Sequence, residues 1–163
     1  MKNDIDILVN KLVGQIHGMS LGEKSRLRRN NLDKPNAPEF WELLRTVVLE
    51  PGEPISAQMI HKWAWIMRSM AQTSINHNPK VSLGEAMARQ VDESRFYRIL
   101  LAQGDMALEE ILGQTLRILD NKAQDFNWSD VAILYLTDPL KLEEFKISMA
   151  RIFQATRRKF LKT

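Results

Sequence analysis

Residues 56–72 read SAQMIHKWAWIMRSMAQ, and their spacing decides what kind of chain this is. Ser56 stands where a helix N-cap belongs, with a hydroxyl for a free amide of the first turn. Met59, Trp63, Ile66, Met67 and Met70 recur at helical spacing and share one face of a helix predicted to end near Gln72. Trp65 lies about 200° round that helix from Trp63, a position that fits packing within the chain, against a partner or on a base. Trp41 and Trp128, close to helix starts, read as core anchors.

The same pattern extends in both directions. Toward the N-terminus, Glu50-Pro-Gly-Glu-Pro54 is a break, and a helix from near Pro38 to about Val48 precedes it. Before that, Ser20-Leu-Gly-Glu23 forms a capping box for a short helix through Arg29, ended by Asn30, Asn31 and Pro35. Ile5, Leu8, Val9, Leu12, Val13 and Ile16 form the stripe of a first amphipathic helix. Toward the C-terminus, residues 73–81 are polar, hold Pro79 and read as a linker loop. Ser82-Leu-Gly-Glu85 repeats the capping box, and helices follow at about 83–90, 93–102, 105–120 and 129–136. A last helix runs from near Pro139 to about Phe160. No segment alternates with period two. The expectation is an all-α chain of about nine helices in two packed bundles, 1–72 and 82–163, sharing an interface.

The 163 residues carry 23 Lys and Arg against 20 Asp and Glu, a net charge of only +3. That average hides segregation. Residues 24–34 hold Lys24, Arg26, Arg28, Arg29 and Lys34 against Asp33 alone. Residues 105–144 hold nine acids against Arg117, Lys122 and Lys141, and no acid follows Glu144. On the last helix, Leu142, Phe145, Met149, Phe153, Thr156 and Phe160 fall within about 60° of Leu142, while Arg151, Arg158 and Lys162 fall about 160–200° away from it. Such a row fits either a track for phosphates or the polar face that any amphipathic helix turns outward. Arg26, Arg28 and Arg29 sit on a helix with one clear internal apolar residue, Leu27, so they mostly point out. Arg95 and Arg98, one turn apart, fit a phosphate clamp or pairing with Asp92 or Glu109.

Catalytic chemistry finds no foothold. Cysteine is absent, which removes disulfides, thiolate metal sites and thiol nucleophiles. His17, His61 and His77 lie in separate segments, with no metal-ligand spacing around them and no nucleophile elbow or glycine-rich phosphate loop after a strand. Glu109-Glu110 and Glu143-Glu144 are adjacent pairs whose carboxylates diverge on a helix. No enzyme activity, cofactor, metal or small-molecule substrate is expected. Two aspartates interrupt the early apolar run, so the start does not read as a secretory signal, and no stretch spans a membrane. The expected compartment is cytoplasmic.

Several segments carry a resemblance. They are Gly22-Glu-Lys-Ser-Arg-Leu-Arg-Arg29, Ser82-Leu-Gly-Glu-Ala-Met-Ala88 and Glu93-Ser-Arg-Phe-Tyr-Arg-Ile-Leu-Leu-Ala102 with the Leu108–Leu119 helix beyond it. Phe40-Trp41 and Asp125-Phe-Asn-Trp128 add to them. In this order, over about residues 5–160, the chain resembles the CasB family, the small subunit of the type I-E CRISPR surveillance complex, Cascade. The resemblance implies a non-catalytic subunit present in two copies beside the other Cascade proteins. It would lie along guide RNA and target DNA and help hold the displaced strand of the R-loop in antiviral defence. By position it carries over Arg28, Arg29 and Arg95. The chain departs from relatives with a further basic residue late in that helix: Leu101 stands there, and Arg98 lies one turn earlier.

Two other readings compete. A free-standing helix-turn-helix regulator would use 83–90 and 93–102, with Arg95 and Arg98 entering a major groove. A protein-only adaptor would dock a basic partner on acidic 105–144 and leave its basic stripes solvated. The nucleic-acid-binding candidates are therefore Arg26, Arg28, Arg29, Arg95, Arg98, Arg151, Arg158 and Lys162.

Overall fold

The structure, a computed structural model, describes residues 4–161. Over that range the chain is all-α. Its nine α-helices are α1 (Ile5–His17), α2 (Leu21–Arg28), α3 (Pro38–Leu43), α4 (Ala57–Gln72), α5 (Leu83–Gln90), α6 (Glu93–Leu101), α7 (Asp105–Asn121), α8 (Trp128–Leu136) and α9 (Glu143–Leu161). Among the described residues the only β-type pairing noted is an isolated bridge between His77 and Phe126. None of the helices among them is long and apolar enough to cross a membrane. The chain divides into two compact units, Met1–Ser74 and Ile75–Thr163.

In the first unit, Leu8, Val9, Leu12, Val13 and Ile16 bury one face of α1, and the Asp4 carboxylate accepts the amides of Asp6 and Ile7. The Ser20–Glu23 capping box that starts α2 is complete in both directions, at 3.2 and 3.1 Å. Along α4, every residue from Lys62 to Met67 is buried, so the middle of this helix is covered on all sides rather than along a stripe. Trp65 is among them, which removes it as an exposed stacking platform for a base. The helix expected over Pro38–Val48 is α-helical only to Leu43. The β-branched run Thr46-Val47-Val48 lies in a wider π turn, Leu44–Val48, closed by the Leu49 amide on the Leu44 carbonyl at 2.9 Å. Trp41 is no core anchor. Its neighbour Phe40 takes the inward position, and Trp41 stays 43% exposed with its indole N–H on the Pro35 carbonyl.

The core of the second unit forms where α9 lies on α5 and α6. Gly84 lets α5 approach so closely that a Cβ there would stand 3.0 Å from the Met149 carbonyl oxygen. The rings of Phe96 and Phe153 stack at 4.0 Å, and Trp128 is fully buried with its indole N–H on the Ile75 carbonyl. Residues 75–81 are tied to the segment before α8. Asn78 donates to the Phe126 carbonyl, Asn127 donates to that of Val81, and the Trp128 amide donates to His77 Nδ1.

The last helix starts at Glu143 instead of Pro139. Pro139–Lys141 form a 3-10 turn capped by the Asp138 carboxylate, and two acids at the first turn of α9 favour its start there. Leu142, Met149 and Phe153 are buried as expected, whereas Phe160 is half exposed. Arg157 bonds back to Val91, but the described residues beyond it, Arg158 to Leu161, are all exposed.

Candidate nucleic-acid interface

Helix α2 and its C-cap residue present three arginines, and they go to three different places. Arg26 turns to α3, where its Nε and Nη2 both reach Glu39 Oε1, at 2.6 and 2.5 Å. The hydrogen bond with Glu39 raises the guanidinium further above its ordinary value, and the same bond holds the Glu39 carboxyl below the usual carboxylate range. Arg28 donates from Nε to the Ala71 carbonyl at 2.7 Å, capping the last turn of α4. Arg29, the residue just past α2, is exposed and has no side-chain partner among the described residues. Local sequence explains the arrangement. Leu27 is the one buried residue of α2, so apolar packing leaves much of the helix's docking to polar contacts.

Arg95 and Arg98 diverge on α6. Arg95 Nη1 donates to Gln114 of α7 at 2.9 Å, and its Nε lies 3.8 Å from Asp92. Arg98 is exposed and unpartnered among the described residues. It lines a hollow of about 340 Å³ with Leu101, Ala107, Ile111 and Glu110, and that carboxylate offsets part of its field. The exposed residues of α6 are Glu93, Ser94, Arg98 and Leu101, one cation and one anion with little for reading base edges.

Arg151 and Arg158 stand on the outer side of α9, opposite Met149 and Phe153. Both are exposed and unpartnered among the described residues, and both line a shallow groove of about 520 Å³ with Ile147, Ala150, Gln154 and Ala155. They are seven positions apart, about 10 Å along the axis. Lys162 lies outside the described residues.

Two residues escaped the sequence reading. Glu39 gave no local sign of being the partner of Arg26. Arg157 is not among the sequence candidates, yet its guanidinium donates to the Val91 carbonyl and lies over the Phe153 ring at 5.3 Å. Its position four residues after Phe153, close to the buried face, was the available signal. The acidic stretch is also less free than its charge suggests. Asp125, Asp130 and Asp138 accept the backbone amides of Asn76, Leu83 and Leu140, which weakens the case for an acidic docking face. Among the described residues no group of three or more His, Asp or Glu converges as a metal site.

Chemically, Arg29, Arg98, Arg151 and Arg158 offer exposed guanidinium groups, a chemistry suited to phosphate oxygens. The family model for CRISPR-associated protein Cse2 matches residues 23–151, a span that takes in the α2 and α6 arginines and Arg151 and stops short of Arg158. No curated protein and no solved structure matches the chain.

Proposed function

The chain belongs to the CRISPR-associated protein Cse2 family, and from that premise we propose that this Cascade subunit grips nucleic-acid backbone without catalysing a reaction. Its protein partners are the other Cascade subunits. In this reading it works in the cytoplasm beside a second copy of itself, stabilising guide RNA–target pairing and the displaced DNA strand. The observation that carries the reading is the set of exposed arginines without partners among the described residues, Arg29, Arg98, Arg151 and Arg158.

Physical chemistry makes that equipment sufficient. In an RNA-guided complex base pairing reads the sequence, so a protein subunit need only hold backbone. Exchange of a DNA duplex for a guide–target hybrid is nearly balanced in free energy. A few charge-assisted contacts to a displaced strand therefore shift it measurably. Arg26, Arg28 and Arg95 have protein partners and contribute to the surface mainly through position.

The test is made in assembled Cascade. Charge reversal at Arg29, Arg151 and Arg158 is expected to leave the helical content intact and to weaken target-DNA binding on the order of tenfold. Target binding and R-loop opening identical to the unmodified complex would overturn the reading.

A further inference from the structure

We infer that Arg26 and Glu39 form a clamp that positions α2, and that its purpose in the nucleic-acid reading, on which this rests, is to present Arg29. Arg26 is then a positioning residue, although sequence alone ranks it with its neighbours as a phosphate contact.

The argument starts from how little else holds α2. Eight residues long, it buries Leu27 alone, and an isolated helix of that length is not stable in water. Three polar devices fix it. The Ser20–Glu23 box closes its start. Arg28 ties its last turn to the Ala71 carbonyl of α4. Arg26 ties its middle to α3 through two contacts on one carboxylate oxygen. Just beyond, the Asn30 side-chain oxygen accepts the amides of Asn36 and Ala37, at 2.9 and 3.0 Å, and fixes the chain that leaves the helix. Arg29 sits between these anchors with its own side chain free.

The Glu39 side chain is only 10% exposed, whereas that of Arg26 is 49% exposed. If Arg26 swung out to a phosphate, Glu39 would lose both contacts on its Oε1 and α2 would lose its tie to α3, a cost that a solvated phosphate contact has to offset. The pair is therefore kept intact while Arg29 works beside it. Glu23 adds a second, weaker attraction on Arg26, drawing it toward the protein.

The isosteric variant Glu39→Gln separates the two roles by sign. If Arg26 were a phosphate contact restrained by Glu39, removing that charge would release it and tighten binding of a fluorescently labelled single-stranded oligonucleotide. As a clamp, its loss is expected to raise amide hydrogen exchange over residues 21–28 by roughly tenfold and to weaken oligonucleotide binding several-fold. In the double variant Glu39→Gln/Arg29→Ala, the Glu39 change is expected to add nothing to the binding defect of Arg29→Ala, because its effect runs through Arg29. Arg26→Lys keeps the charge and loses the fork, and is expected to resemble Glu39→Gln in exchange. Tighter binding by Glu39→Gln, or unchanged exchange over 21–28 in both Glu39→Gln and Arg26→Lys, overturns the clamp. Unaltered oligonucleotide binding by Arg29→Ala overturns the purpose assigned to the clamp, the presentation of Arg29, and the exchange result still decides whether the clamp holds α2; the nucleic-acid reading itself is decided by the combined reversal at Arg29, Arg151 and Arg158.

Discussion

Gly84 and Gly113 are both helical glycines, and their surroundings give them opposite meanings. A Cβ at Gly84 would stand 3.0 Å from the Met149 carbonyl oxygen, a backbone atom that cannot swing away, whereas one at Gly113 would meet nothing within 4 Å. Gly84→Ala is therefore expected to cost roughly 1–3 kcal/mol by forcing α5 and α9 apart. Gly113→Ala is expected to gain up to about 1 kcal/mol from helix propensity. Urea unfolding midpoints check both, and a neutral Gly84→Ala would mean that α9 yields at no cost. Arg157 and Arg158 make a second contrast between neighbours. Arg157 donates to the Val91 carbonyl and covers Phe153, so Arg157→Ala is expected to lower stability by about 1 kcal/mol. Arg158 is exposed and unpartnered among the described residues; Arg158→Ala is expected to keep the unfolding midpoint and lose oligonucleotide affinity.

For whole elements, the docking of α2 on α3 carries a pH dependence. The bond from Arg26 holds the Glu39 carboxyl below its ordinary value, so the folded protein binds fewer protons there than the unfolded chain. The stabilisation is fully present above the unfolded value of about 4.3 and is lost as pH falls through the lower folded value. Exchange over residues 21–28, corrected for the intrinsic pH dependence of amide exchange, is expected to rise in that acid window in the unmodified protein and to rise less in Glu39→Gln. A rise of equal size in both would place the acid sensitivity elsewhere. Element boundaries were legible where cap chemistry is local. Ser20, Ser56 and Ser82 each accept an amide three residues on, and α2, α4 and α5 start where those serines say. The π turn at Leu44–Val48 and the 3-10 turn before α9 were not legible, since both arise from crowding and competing caps inside an otherwise helical pattern. The division of the arginines was hidden for a different reason. The partners of Arg26, Arg28 and Arg157 lie 13, 43 and 66 residues away, beyond the reach of any helical wheel. The wheel did succeed for Arg151 and Arg158, whose outward position follows from Met149 and Phe153 on the same helix.

Taken as a whole molecule, a net charge of +3 is too small to hold a polyanion by general attraction, because surface charges are screened within about 8–10 Å at physiological salt. Binding must then depend on which cations are unpaired, and this separates arrangement from total charge. Arg151 and Arg158 have no partner among the described residues. Arg45 and Arg89 are paired with Glu42 at 3.1 Å and Glu85 at 2.5 Å. Replacing either pair by Gln removes the same charge from the protein. Each phosphate contact to a single strand releases counterions worth about 0.7 in the slope of log affinity against log salt. Arg151→Gln/Arg158→Gln is thus expected to flatten that slope by about 1.4. Arg45→Gln/Arg89→Gln is expected to leave it nearly unchanged, because a cation already neutralised by a carboxylate frees few counterions on meeting a phosphate. Titrations of a labelled single strand across a salt series measure both slopes on full-length protein. Equal flattening by the two variants would show that net charge governs the interaction and that the outer face of α9 has no special part in it. A slope of zero in the unmodified protein would favour the protein-only adaptor, since apolar and shape-driven contacts are nearly indifferent to salt.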